Sequence, residues 1–317
     1  MQLLVAPAAF PGDLRASAVA AAIGRGLEAA GLEPPDLCPV ADGGEGTLEV
    51  LLTRLGGETA AARVAGPDGR PRSVGFGLLE GGATALVEAA APTAGPAGPD
   101  PGAGSRGAGE LILAARDAGA EVVVVAAGGR VPADGGAGAI AAIEAGGGLG
   151  GVRLVVLCDG GTPFEVAAEP EAAGPGGGGG VRAKPLRKRS TGAGGGLAGG
   201  LGAAFGADLR PGAAFVLDAV DFDRRMRAAW AVVVGAGRLD RSALGGGVLG
   251  EVATRARQAG VPAHAIVGIS ALDRFDARIL DLQEILTARG PAELVAAGGE
   301  LARRLAGPAH RAGALNH

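Results

Sequence analysis

Apolar residues recur along the chain in two rhythms. Short continuous runs at 2–6, 84–88, 121–126, 152–158, 213–217, 231–235 and 264–268 predict buried strands. Between several of them the spacing turns helical. Val19, Ile23 and Leu27 share one face of a helix over 14–30, with Asp13 as candidate N-cap and Gly31 just past the end. Leu48, Leu51, Leu52 and Leu55 fall at i, i+3, i+4 and i+7 in a second helix, which Thr47 could cap and Gly56-Gly57 would stop. Further helices are expected at 109–118, 249–258 and 292–305. Such alternation of strand and helix predicts an α/β protein built on largely parallel sheet. Stretches rich in Gly and Pro at 91–107, 168–180 and 182–196 read as loops or linkers.

Length and composition narrow the picture. With 317 residues the chain can bury the cores of about two domains. A formal net charge of −4 supplies no general field for nucleic acid or an anionic membrane, so neither partner is expected. No apolar run approaches the ~18 residues of a membrane span, and the first ten residues lack a basic segment of the secretory type. Cys38 and Cys158 are the two cysteines, which excludes a disulfide framework and makes the cytoplasm the expected compartment. The 62 glycines and the scarcity of aromatics (3%) point to a core of Leu, Val, Ile and Ala. Such a core implies modest stability or support from a homodimer. Glycine at this frequency also devalues glycine motifs: the GxGxxG pattern at Gly194, Gly196 and Gly199 is of a kind expected about twice by chance.

The candidate chemistry sits where apolar runs end. Residues 122–127 lead into Gly128-Gly129-Arg130, and then into Asp134-Gly135-Gly136; residues 154–158 lead into Asp159-Gly160-Gly161. Asp42-Gly43-Gly44-Glu45-Gly46-Thr47 opens the second helix, and 231–234 leads into Gly237-Arg238-Leu239-Asp240. Ligands of open α/β sheets bind where such loops converge, and free N–H groups at helix starts favour anions. Carboxylates beside anion sites suit a hard divalent cation that bridges phosphate oxygens. The composite signature is phosphate plus metal, hence phosphoryl transfer. Walker A, HExxH, CxxC and Gly-x-Ser-x-Gly patterns are all absent. His264 reads as a strand residue, and Cys158 as a small buried apolar side chain rather than a nucleophile.

These loops resemble the glycerate kinase family, in order and along nearly the whole chain. Ala41 to Thr47 reads ADGGEGT, as in the family; Gly66-Pro67-Asp68-Gly69-Arg70-Pro71 resembles its GPLGRP turn, and Leu86-Val87-Glu88 its acidic strand. Gly107-Ala108-Gly109-Glu110-Leu111-Ile112 resembles GTGELI, Asp134 to Gly138 ends its GGSATNDGGAG, and Gly237-Arg238-Leu239-Asp240 fits the core of GEGRLD. The resemblance implies ATP-dependent phosphorylation of D-glycerate with Mg²⁺. It also implies two α/β domains with the active site in the cleft between them: a flavodoxin-like parallel-sheet domain from 1–64 and about 212–317, and an inserted domain of about 65–211. On that basis Asp42, Asp134 and Arg238 are the expected catalytic residues. Gly43, Gly44, Glu45, Gly46, Thr47, Gly128, Gly129, Gly135, Gly136 and Asp240 would hold substrate or phosphate, and Asp134 and Asp159 the metal. The expected partners are a small hydroxy acid and a nucleotide.

The chain also departs from the family pattern. Where the family has PDSFKGS, this sequence runs Pro7-Ala8-Ala9-Phe10-Pro11-Gly12-Asp13, so an acid, a hydroxyl and a lysine are missing. The GEGRLD glutamate is Ala236, a later lysine is Gly247, and Arg130-Val131-Pro132-Ala133 replaces hydroxyl and amide groups. Lysines at phosphoryl-transfer sites neutralise spreading negative charge. Their loss leaves, as the alternative, a catalytically impaired paralogue that binds a small molecule or a partner.

Overall fold

The computed structural model describes residues 2–12, 14–93, 104–129, 131, 133–160, 191–272 and 274–306. By internal packing the chain divides into two units: 1–41 with 216–317, and 42–215.

The first unit is a parallel sheet drawn from both ends of the chain. Its strands are β1 (Leu3–Pro7), β2 (Asp36–Leu37), β9 (Ala231–Leu239), β10 (Ala263–Ser270) and β11 (Leu282–Thr287). Their order is β2-β1-β9-β10-β11, and every pairing is parallel. Renumbered within the unit, that order is 2-1-3-4-5, the flavodoxin-like arrangement. The continuous apolar runs of β1 and β9 are buried, as strands covered on both faces must be. Helix α1 (Ala16–Ala29) packs on α10 (Pro291–Leu305), and both face a core that includes Val19, Ile23, Leu27, Leu294 and Leu301. Arg15, one residue inside the expected start, occupies the N-cap position of α1; Asp13 lies outside the described residues. The two-residue β2 is tied down by Arg225 of α7 (Phe222–Ala228), whose Nε donates to Asp36 at 2.9 Å.

The second unit carries a mixed sheet of β3 (Glu58–Ala65), β4 (Pro71–Leu79), β5 (Thr84–Glu88), β6 (Val122–Ala126), β7 (Arg153–Cys158) and β8 (Asp208–Pro211), in that spatial order. Strands β3, β4 and β5 pair antiparallel, whereas β5 to β8 are parallel. The expectation of largely parallel sheet thus holds for one half of this unit. Its β3–β4 hairpin closes on the 66–70 turn, where the Gly66 N–H donates to the Arg70 carbonyl at 2.8 Å. The helices of this unit are α2 (Thr47–Leu55), α3 (Arg106–Asp117), α4 (Ala137–Ala145) and α5 (Leu197–Phe205). Helix α2 packs on β4 and β5, and so belongs here rather than with a segment reaching to residue 64.

Residues 213–217, expected as a strand, lie in helix α6 (Gly212–Ala219). The reason is visible in burial: Ala213, Val216, Leu217 and Val220 are the buried positions, at i, i+3, i+4 and i+7. Helices α8 (Val248–Ala259) and α9 (Arg274–Ile279) complete the first unit. Among the described residues no helix is long and apolar enough to cross a membrane.

Candidate functional site

The loops that leave β6 and β7 meet the turn that precedes α2, all within the second unit. Glycine permits that meeting. A Cβ on Gly128 would lie 2.7 Å from the Asp159 Cβ and 2.8 Å from the Gly44 Cα, far inside ordinary contact. The Gly128 N–H donates to the Gly43 carbonyl at 2.9 Å, which fixes the two loops side by side.

Two carboxylates share this junction. Asp42 Oδ1 accepts the Gly44 N–H at 3.2 Å, and Asp159 Oδ2 accepts the Gly129 N–H at 3.3 Å. Burial, and then the negative charge of Asp159, push the Asp42 carboxyl up to about 6. A pair of acids in which one strains against the other's charge is a site that a cation relieves. Magnesium needs only one or two carboxylates when phosphate oxygens and water complete its shell, so Asp42 and Asp159 fit it. No group of three or more His, Cys, Asp or Glu side chains is arranged to hold a metal among the described residues.

Asp134 has a different environment from the one expected of a metal ligand. Its Oδ2 accepts the Ser105 N–H at 2.7 Å, the Ser105 hydroxyl at 2.9 Å and the Gly138 N–H at 3.1 Å, while Oδ1 accepts the Gly136 N–H at 2.9 Å. Four internal donors thus hold the carboxylate, three crowded on Oδ2 and one on Oδ1. Asp134 caps α4 and holds the start of α3 to it.

The helix starts are likewise closed from within. Gly46 and Gly136 take the N-cap positions of α2 and α4 with φ of 87° and 81°, a conformation that glycine adopts at little cost. The Leu48 N–H donates to Glu88 Oε1 at 2.9 Å, so a glutamate from the end of β5 sits where a phosphate was expected. Burial pushes the Glu88 carboxyl above its usual range, the Leu48 and Gly46 amides pull it back, and Glu45 and Glu49 push it further up. Thr47 is therefore not the cap: it is the first helical residue, 0% exposed, and its Oγ1 has no hydrogen-bond partner among the described residues. Gly135 donates its N–H to the Gly195 carbonyl at 3.1 Å. The amides of Gly44, Gly128, Gly129, Gly135 and Gly136 are thus spent on protein acceptors.

In the first unit, the exposed Arg238 Nε donates to Asp240 Oδ2 at 2.6 Å. Two expected structural residues behave as such. His264 is fully buried on β10, and burial, then Asp159, push the buried Cys158 thiol up to about 12, which removes it as a nucleophile. Arg130, Thr162, the basic run 182–189, His310 and His317 lie outside the described residues. Ser105 was missed in the sequence, since nothing local links it to Asp134; Glu88 was seen as an acidic strand end, but its reach to α2 was not.

The glycerate kinase family profile matches residues 3–148 and 180–312. The chain belongs to the glycerate kinase family. It is 33% identical to a glycerate kinase of Bacillus subtilis (strain 168) over 325 residues, covering 84% of this chain and 85% of that protein. It is 38% identical to the glycerate 2-kinase of Escherichia coli (strain K12) over 151 residues, or 46% of this chain and 40% of that one. A crystal structure from Salmonella typhimurium LT2, of a protein assigned as glycerate kinase 2, matches with a TM-score of 0.71 over 99% of both chains at 24% identity, which shows the shared fold. Membership places the chain among kinases, enzymes that transfer a phosphoryl group.

Proposed function

We propose that the protein phosphorylates D-glycerate from ATP, with Mg²⁺ held by Asp42 and Asp159, in the cytoplasm. The observation that carries this reading is the carboxylate pair at the junction of the two glycine loops. Because the nearby backbone amides are committed to Gly43, Asp42, Asp159 and Asp134, the loops present negative charge to a ligand rather than N–H groups. A phosphate can approach such a surface only with a cation between. Bound there, Mg²⁺ would neutralise charge on the transferring phosphoryl group.

The chain's own part is to orient and to shield. Gly44 and Gly129 each lend an amide to one of the two carboxylates, which fixes their rotamers and keeps one oxygen of each free of those bonds. Gly43, Gly44, Gly128 and Gly129 have no side chains to stand between the pair and a substrate.

A coupled ADP-release assay with D-glycerate, ATP and Mg²⁺ tests the reading. Turnover that D42N abolishes is the expected result. A folded wild-type protein with no turnover at high enzyme concentration would overturn it.

A further inference from the structure

The loop between β6 and α4 is anchored at both ends. At its near end Gly128 and Gly129 donate to Gly43 and Asp159; at its far end the 134–138 turn is bonded to Ser105 and Gly195. Ser105 is 1% exposed, and its hydroxyl works in both directions: it donates to Asp134 Oδ2 and accepts the Ala139 N–H at 2.9 Å. Close packing leaves this turn no room to shift. A Cβ on Gly200 would run into the Gly135 carbonyl oxygen, and one on Gly109 into the Ala139 carbonyl oxygen.

We infer that Asp134 is a positioning residue: with the buried Ser105 hydroxyl it locks the starts of α3 and α4 together, and so holds the far end of the loop whose near end carries the Asp42–Asp159 junction. The inference rests on the proposed function only for what the positioned loop serves. The lock itself is a property of the fold. It differs from a role in cation binding because four internal donors, three at Oδ2 and one at Oδ1, already hold Asp134 in the joint between the two helix starts.

Site-resolved amide hydrogen exchange on the full chain reads the lock without any need for turnover. In D134A the Ser105, Gly136 and Gly138 amides should exchange at least about 10-fold faster than in wild type. D134N should be selective, because its amide nitrogen will turn away from the three donors at Oδ2 and face the Gly136 N–H; Gly136 alone should then lose protection. S105A, which removes only a hydroxyl, should expose Ala139, and it keeps the test open if D134A fails to fold. Mn²⁺ titration followed by electron paramagnetic resonance gives the second arm. D134N should keep the wild-type cation affinity within about 2-fold, and D42N should weaken it by about 10-fold or more. Unchanged exchange in D134N and S105A, or a loss of Mn²⁺ in D134N equal to that in D42N, would overturn the inference. If wild-type protein binds no Mn²⁺, the reading of the function fails, and the exchange arm alone decides the role of Asp134.

Discussion

The tripeptide Asp-Gly-Gly occurs three times in the second unit, at 42–44, 134–136 and 159–161, and the first two copies lead into a helix through a glycine in the left-handed region. Locally they are alike: each aspartate accepts the N–H of the second glycine, at 3.2 Å in one and 2.9 Å in the other. Their surroundings separate them. Asp134 meets Ser105, 29 residues upstream, and becomes the four-donor centre of a cap. Asp42 meets Asp159 instead, a second acid with nothing to donate, and burial, then the charge of Asp159, push its carboxyl up to about 6. One motif thus yields a structural joint in one place and a strained charge in another. The difference is set by a partner that the motif does not contain.

The sharpest way to break this comparison is to treat both aspartates identically. D42N should cost at least about 100-fold in turnover without lowering the melting temperature, since it removes a charge that burial opposes and keeps the Gly44 bond. D134A should do the opposite in kind: it strands four donors, each worth about 1 kcal/mol or more when buried, so stability falls by several kcal/mol. Thermal unfolding and initial rates on the same two preparations check both. Equal loss of stability in the two variants would erase the distinction.

Titration offers a second test of Asp42 alone. Its folded pKa of about 6 exceeds the unfolded value of 3.8, so between those values the native state binds more protons than the unfolded chain. Stability from this group is therefore greatest at acid pH and is lost as pH rises from about 4 through about 6, by at most about 3 kcal/mol. D42N should remove that slope, as measured by denaturant unfolding in EDTA across pH 4 to 8. In wild-type protein, saturating Mg²⁺ should flatten the slope as well, because cation and proton compete for the carboxylate. A wild-type curve without the decline would mean that burial and the neighbouring Asp159 do not together raise Asp42.

The sequence disclosed these regions unequally. The 2-1-3-4-5 order was available through the family resemblance, and the apolar runs of β1, β6, β7, β9 and β10 were plain because strands buried on both faces need no alternation. The β3 strand was invisible in a stretch reading ETAAARVA, where alanine carries almost no period. Residues 213–217 misled because an apolar run of five fits strand and helix alike; only Val220, beyond the run, completes the helical face. The Asp-Gly-Gly turns at 42–44 and 134–136 were legible as turns and equally credible as ligand sites. Ser105 and Asp159 reach them through the fold, and no local pattern could say which aspartate would receive a hydroxyl and which a charge.

A smaller effect is expected at Thr47. Its buried hydroxyl lacks a partner among the described residues, so T47V should be neutral or stabilising by up to about 1 kcal/mol, read by denaturant unfolding. A loss of more than that would reveal a partner for the hydroxyl.

The smallest effect bears on how the two helix starts are closed. Helix α4 is capped by the aspartate of its own turn, but α2 borrows Glu88 from the end of β5, where burial and the nearby Glu45 and Glu49 push its carboxyl upward. E88Q keeps an oxygen for the Leu48 N–H and removes the charge that these neighbours oppose. It also forfeits the attraction between an anion and the helix N-terminus, usually about 0.3–1 kcal/mol. A raised carboxyl pKa means that the opposing influences win, so E88Q should stabilise the fold slightly, by less than about 1 kcal/mol at pH 8. The gain should vanish near pH 4, where the wild-type glutamate is itself largely protonated. Denaturant unfolding at the two pH values decides the sign. A destabilised E88Q at pH 8 would show that the helix N-terminus outweighs the acids around Glu88, and that α2, like α4, is closed by a carboxylate at ease in its place.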